Sequence, residues 1–192
     1  MTHDRNSTGT LERDTVAAPR RLLEAVERAR ALDGPAELVA KLLRRLFGGR
    51  AGRTLRGREL GHPLHPLAVT VPIGAWLCSS LLDFLPGNDS AARRLVAVGL
   101  LATPATVVLG AADYSGLNTR QRRVGLVHAA ANALAAVVFT TSYSARVRGA
   151  TGAGKTLNVV GLLVLSTGGA LGGHLSYAQG AGVFRWQSED RS

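Results

Sequence analysis

The chain has 192 residues with 23 Lys and Arg against 13 Asp and Glu, five His and one Cys. That length allows one domain plus an appended segment, and the lone Cys78 excludes an intramolecular disulfide or a cysteine-based zinc or iron–sulfur site within one copy. A net charge of +10 invites a nucleic-acid partner. However, the basic segment of residues 1–60 lies directly ahead of long apolar runs, which fits the cytoplasmic face of a membrane instead, and no nucleic acid is expected.

Residues 1–15 are polar and aperiodic and are expected to be disordered. No signal-peptide core follows the N-terminus, so a cleavable leader is not expected. From Ala18 to Leu32 the pattern is helical, with Leu22, Val26 and Ala29 on one face, and Gly34-Pro35 is expected to break it. Ala36 to Phe47 groups Leu38, Val39, Leu42, Leu43 and Leu46, with Lys41, Arg44 and Arg45 on the flank and far side. Such a basic amphipathic helix suits a layer of anionic headgroups, or packing on the preceding helix or a second copy. Gly48 to Glu59 reads as a Gly/Arg linker.

The stretch Gly61 to Leu85 opens with two His-Pro pairs and then runs apolar from Leu67 to Leu85 with one ionisable side chain, Asp83. As a helix it measures roughly 28 Å, close to the hydrocarbon thickness of a bilayer. Further spans are expected over about 95–112, with Pro104 inside, 124–143 and 157–177. The five-residue turn Pro86 to Ser90 forces an antiparallel return. The fold class is therefore all-α: a four-helix antiparallel transmembrane bundle (60–183), preceded by a basic cytoplasmic region (1–59) and followed by a polar tail (184–192). Gly168/Gly172 and Gly169/Gly173 permit close helix contact, and Tyr114, Tyr143, Tyr177 and Trp186 suit the membrane interfaces. The N-terminal segment, middle loop and tail hold 13, 3 and 2 Lys/Arg, and the other two loops 2 and 3. This excess puts both termini in the cytoplasm of a bacterial inner membrane.

In such a bundle one layer collects His62, His65, Asp113, His128 and His174. Ionisable residues at that depth face the interior and are candidates for function. Imidazoles from different helices can ligate haem b or a divalent metal, with Asp113 as ligand or supporting partner. Arg120, Arg122 and Arg123 then serve as propionate or lipid partners. The alternatives are a hydrogen-bonded His–Asp network that only closes the bundle, and a proton or ion pathway between that layer and Asp83, which is itself expected at the outer interface. Gly149 to Thr156 matches the phosphate-loop pattern G-x-x-x-x-G-K-S/T. A membrane helix in place of the required strand marks the match as coincidental.

The motifs GHPLHPLAVTVPIGAW, LLDFLPG, LGAADY, VHAAANALA and GGHLSYAQGAGV together resemble the bacterial membrane-protein family known as domain of unknown function 2231, over about residues 60–183. The resemblance implies a four-helix integral membrane domain, in some members joined to a Rieske 2Fe–2S domain, and a role as a redox partner. This chain holds no Cys-x-His and Cys-x-x-His pair, so an iron–sulfur partner is expected as a separate polypeptide. The leading expectation is a redox or electron-transfer membrane module without independent enzymatic activity. Its rivals are a structural or assembly protein with no cofactor and a small proton or ion pathway protein.

Overall fold

The computed structural model describes residues 20–182. The disorder expected for 1–15, Trp186 and the polar tail lie outside the described residues. The elements are α1 (residues 20–28), α2 (Asp33–Phe47), α3 (Arg50–Leu55), α4 (His65–Ala68), α5 (Thr70–Asp83), α6 (Asp89–Tyr114), α7 (Thr119–Val147) and α8 (Thr151–Gly173), which runs into a π-helical turn, His174–Ala178. No strand occurs among the described residues. Four stretches, His65–Asp83, Asp89–Tyr114, Thr119–Val147 and Thr151–Ala178, are long and apolar enough to cross a membrane, with mean hydropathy of 1.3 to 2.1.

These helices outrun the apolar runs because their polar ends keep the helical hydrogen bonds going. Asn118 and Gln121 cap α7 reciprocally, each side chain accepting from the other's backbone N–H at 3.0 and 3.1 Å. Gly149 closes the turn between α7 and α8 at φ +83°, where a Cβ is disfavoured. The first span is interrupted at Val69, because Pro72 has no N–H to return to the carbonyl of Ala68. Upstream, the chain breaks at Ala29 and not at Gly34-Pro35. Pro35 falls in the first turn of α2, where its missing N–H costs nothing. The expected linker contains α3 and the 3-10 turn Arg58–Leu60. It is tied down by Arg56, which donates to Phe47 O at 3.2 Å, Ser115 Oγ at 3.1 Å and Ala112 O at 3.5 Å.

The hairpins α5–α6 and α7–α8 repeat each other at an offset of 62 or 63 residues. Trp76 on α5 lies on Gly99 of α6, and Phe139 on α7 lies on Gly161 of α8. Ser79 Oγ donates to Ala92 O at 2.9 Å, and its counterpart Ser142 Oγ donates to Gly154 O at 2.6 Å. The two aromatic rings stack across the centre with centroids 3.9 Å apart at 11°. Both are almost fully buried, which contributes about 2–3 kcal/mol per ring plus about 1 for the contact itself. The chain thus has a pseudo-two-fold axis between α5 and α7, with three pairs along it: His65/His128, Trp76/Phe139 and Asp83/Arg146.

Candidate functional site

His65 and His128 occupy equivalent places in the two hairpins. His65 Nδ1 donates to Thr106 O on α6 at 2.9 Å, and His128 Nδ1 donates to Gly168 O on α8 at 2.8 Å. A carbonyl accepts only, so each Nδ1 carries the proton and each Nε2 keeps its lone pair. Four residues beyond each acceptor stands a glycine under the ring. A Cβ on Gly110 would come within 2.9 Å of His65 Cε1, and one on Gly172 within 2.9 Å of His128 Cε1. Of the two small-residue registers on α8, Gly168/Gly172 faces α7, while Gly169 and Gly173 meet nothing within 4 Å. The two imidazoles lie with their centroids 6.4 Å apart and their planes at 85°. Asn132, one turn after His128, donates to His128 O at 2.8 Å and holds its amide against that ring.

The structure brings these two histidines together out of the five residues in the layer. His62 precedes the helix, is exposed, and has Nδ1 3.4 Å from the neighbouring Pro63 O. His174 is drawn away by a partner outside the spans: its Nε2 lies 2.5 Å from Glu27 Oε1 on α1. Asp113 stands in the last turn of α6. Among the described residues, no three His, Cys, Asp or Glu side chains form a group able to hold a metal ion.

The family model described as "Predicted membrane protein (DUF2231)" matches residues 61–185. The chain belongs to this family. No curated protein and no solved structure matches it. The matched region holds both hairpins and the histidine pair, so the family's domain is a four-helix membrane unit here. The segment 20–60 lies ahead of it.

That segment engages the arginines at the start of α7, which the sequence suggested for propionates or lipid. Arg120 pairs with Glu27, Arg122 with Glu37, and Arg123 clasps Asp33 at 2.5 and 2.8 Å while also donating to Glu27 O at 2.7 Å. Burial alone would raise the Glu27 carboxyl. Hydrogen bonds from Gln179, His174 and Arg120, with the Arg120 charge, outweigh it and lower the carboxyl from 4.5 to about 2. Hydrogen bonding to Arg123 holds Asp33 below its usual range, and hydrogen bonding to Arg44 does the same for Glu37. Tyr114 is buried under α2 and not exposed to lipid: its hydroxyl donates toward Ala36 O and Arg122 O at 3.2 and 3.1 Å, pinning α2 to the bundle.

At the opposite end Asp83 turns inward to Arg146, bonded at 2.8 and 2.5 Å with both side chains buried. Arg146 offers it two charge-assisted bonds there. The stacked Trp76 and Phe139 sit between this ion pair and the histidines along α5 and α7. In the phosphate-loop-like stretch, a helix of 29 residues precedes the turn, and Lys155 pairs with Asp89 at 2.7 Å.

Sequence reading missed Glu27, Trp76 and Arg146, although it placed Asn132 and Phe139 on the face of the third span that carries His128. The available signal was the recurrence of Val-Gly-Leu-Leu at Val98 and at Val160, which marks the internal repeat.

Proposed function

We propose that this chain is a membrane-embedded electron-transfer module that carries a b-type haem between His65 and His128. The observation that supports it is the paired geometry: two equivalent imidazoles, each fixed through Nδ1 on a backbone carbonyl, with centroids 6.4 Å apart. An Nδ1–carbonyl bond is the usual support of a metal-bound imidazole, since it sets the tautomer and the ring orientation. Were a haem bound here, His65 and His128 would hold it through the Nε2 atoms that their Nδ1 bonds leave free. Protein-only metal sites draw on three or four side chains, whereas a porphyrin supplies the iron's remaining ligands, so two histidines suffice. The bound haem would supply one-electron chemistry, while the chain's residues orient the two nitrogens.

The excess of Lys and Arg in the N-terminal segment, middle loop and tail supports a cytoplasmic position for the histidine end, in a bacterial inner membrane. The electron partner is then a separate protein, with a Rieske-type iron–sulfur protein as the first to try.

The test is an absorption spectrum of the detergent-purified protein, air-oxidised and then dithionite-reduced, repeated after titration with haemin. A Soret band lost in both His65→Ala and His128→Ala, but kept in His174→Ala, is the expected result. No Soret band before or after haemin sinks the proposal. The second reading is a cofactor-free structural unit, favoured by the same two bonds because they tie α4 to α6 and α7 to α8. Under it, the histidine variants lower the unfolding midpoint and leave every spectrum unchanged.

A further inference from the structure

We infer that α2 and α3 form a lipid-binding collar that rests in the headgroup layer and takes anionic phospholipid. The structure splits the apolar residues of α2 into two faces. Ala36, Val39, Ala40 and Leu43 turn to the bundle, where Ala40 packs with Tyr114 and Leu117. Leu38, Leu42 and Leu46 form a separate stripe that is 71%, 56% and 65% exposed.

The order of faces around the helix says what this stripe meets. At about 100° per residue, the bundle face is followed by Leu46, Leu42 and Leu38, then by Arg45 and Lys41, then by Glu37 and Arg44. The last two bond to each other, and Glu37 also takes Arg122, forming a polar side suited to water. Lys41, Arg45 and Arg50 are exposed and make no ion pair among the described residues. A helix lying flat beside a membrane bundle needs this sequence of faces: protein, acyl chains, phosphates, water. A polar-rimmed pocket of a soluble partner would not put two unpaired cations, Lys41 and Arg45, along one edge of the leucines.

The depth of α3 agrees independently. Leu55 and the α6 wall of Pro104, Ala105, Val108 and Leu109 line a shallow, open apolar groove of about 380 Å³. With its 26 residues α6 is about 39 Å long, so it overshoots a hydrocarbon core of about 30 Å. Leu109 to Pro104 lie five to ten residues, about 8–15 Å, from the Tyr114 end. The groove therefore faces the outer part of the acyl region, where a lipid chain would fill it.

The test uses the full chain reconstituted in nanodiscs. In a Cys78→Ser background, Leu42→Cys is spin-labelled and its access to oxygen and to a water-soluble nickel chelate is compared with Leu101→Cys and Ser90→Cys. Leu101 is 80% exposed on the middle of α6, and Ser90 lies exposed at the start of that helix. The label at position 42 is expected to follow Leu101→Cys, favouring oxygen. Following Ser90→Cys, or being shielded from both reagents as under a protein partner or second copy, overturns the collar. The second arm measures preference for spin-labelled phosphatidylglycerol over phosphatidylcholine. Lys41→Gln, Arg45→Gln and Arg50→Gln are each expected to lower it by up to about fivefold. An unchanged preference in the triple variant overturns the headgroup assignment.

Discussion

The ion pair Asp83–Arg146 offers the sharpest quantitative check on the pseudo-two-fold architecture. Arg146 is 1% exposed and Asp83 8%, and the guanidinium meets the carboxylate through two bonds at 2.8 and 2.5 Å. Removing one partner of such a pair strands a buried charge, at a cost of about 3–5 kcal/mol; an exposed pair would cost about 1 or less. Arg146→Ala and Asp83→Ala should each lose that much, whereas Asp83→Leu with Arg146→Met should stay within about 1–2 kcal/mol of the parent. The exchange Asp83→Arg with Arg146→Asp tests more, because the two positions are equivalent about the axis. A Cβ on Gly154 would overlap Arg146 Cγ, so a long side chain needs a glycine opposite it. The residue equivalent to Gly154 in the first hairpin is Ala92, fully buried, so the exchanged pair should remain about 1–3 kcal/mol short from overpacking. Adding Ala92→Gly should restore most of that loss. The assay is a denaturant titration of the detergent-solubilised variants followed by far-ultraviolet circular dichroism. If the plain exchange matches the parent, or Ala92→Gly gives it no benefit, the equivalence of the two hairpins is refuted.

Glu27 should make docking of α1 acid-sensitive. Its folded pKa of about 2 lies below the ordinary 4.5, so its contribution of up to about 3 kcal/mol is full above pH 4.5 and drains away as pH falls toward 2. Hydrogen exchange of residues 20–28 should speed up over that window in the parent and be fast throughout in Glu27→Gln; a flat profile in the parent would refute the reading. Gly99→Ala should cost about 1–3 kcal/mol, since the new methyl overlaps the Trp76 indole, while Gly74→Ala, with nothing within 4 Å, should be close to neutral in the same titration. Equal effects from the two substitutions would mean that Trp76 does not lie on Gly99.

Much of the architecture could be read from the residues in order. Apolar runs bounded by Pro86-Gly87, Ser115-Gly116 and Arg148-Gly149 gave four helices and three tight turns. The layer containing the histidines followed from alternation alone. The interruption at Val69 was also readable, from Pro72, as was the start of α2 at Asp33 once Pro35 is placed in a first turn. The fate of each histidine was not. His174 and His128 lie at similar depths, yet one reaches out to Glu27 and the other inward to Gly168 O and toward His65. The repeat that orders the interior was faint because its positions keep roles and change letters: Trp76 answers to Phe139, and Asp83 to Arg146.

The sequence by itself determined that the chain crosses lipid in four helices and which residues share each end of the bundle. The transfer of an apolar side chain into hydrocarbon depends on its own chemistry, and connection length fixes the direction of return. Only the tertiary structure decided the rotation of each helix about its axis, and with it the pairing of His65 with His128. Lipid rewards an apolar residue equally on every side of a helix. The rotation is set by non-local contacts instead: Trp76 on Gly99, Phe139 on Gly161, and the two rings on each other.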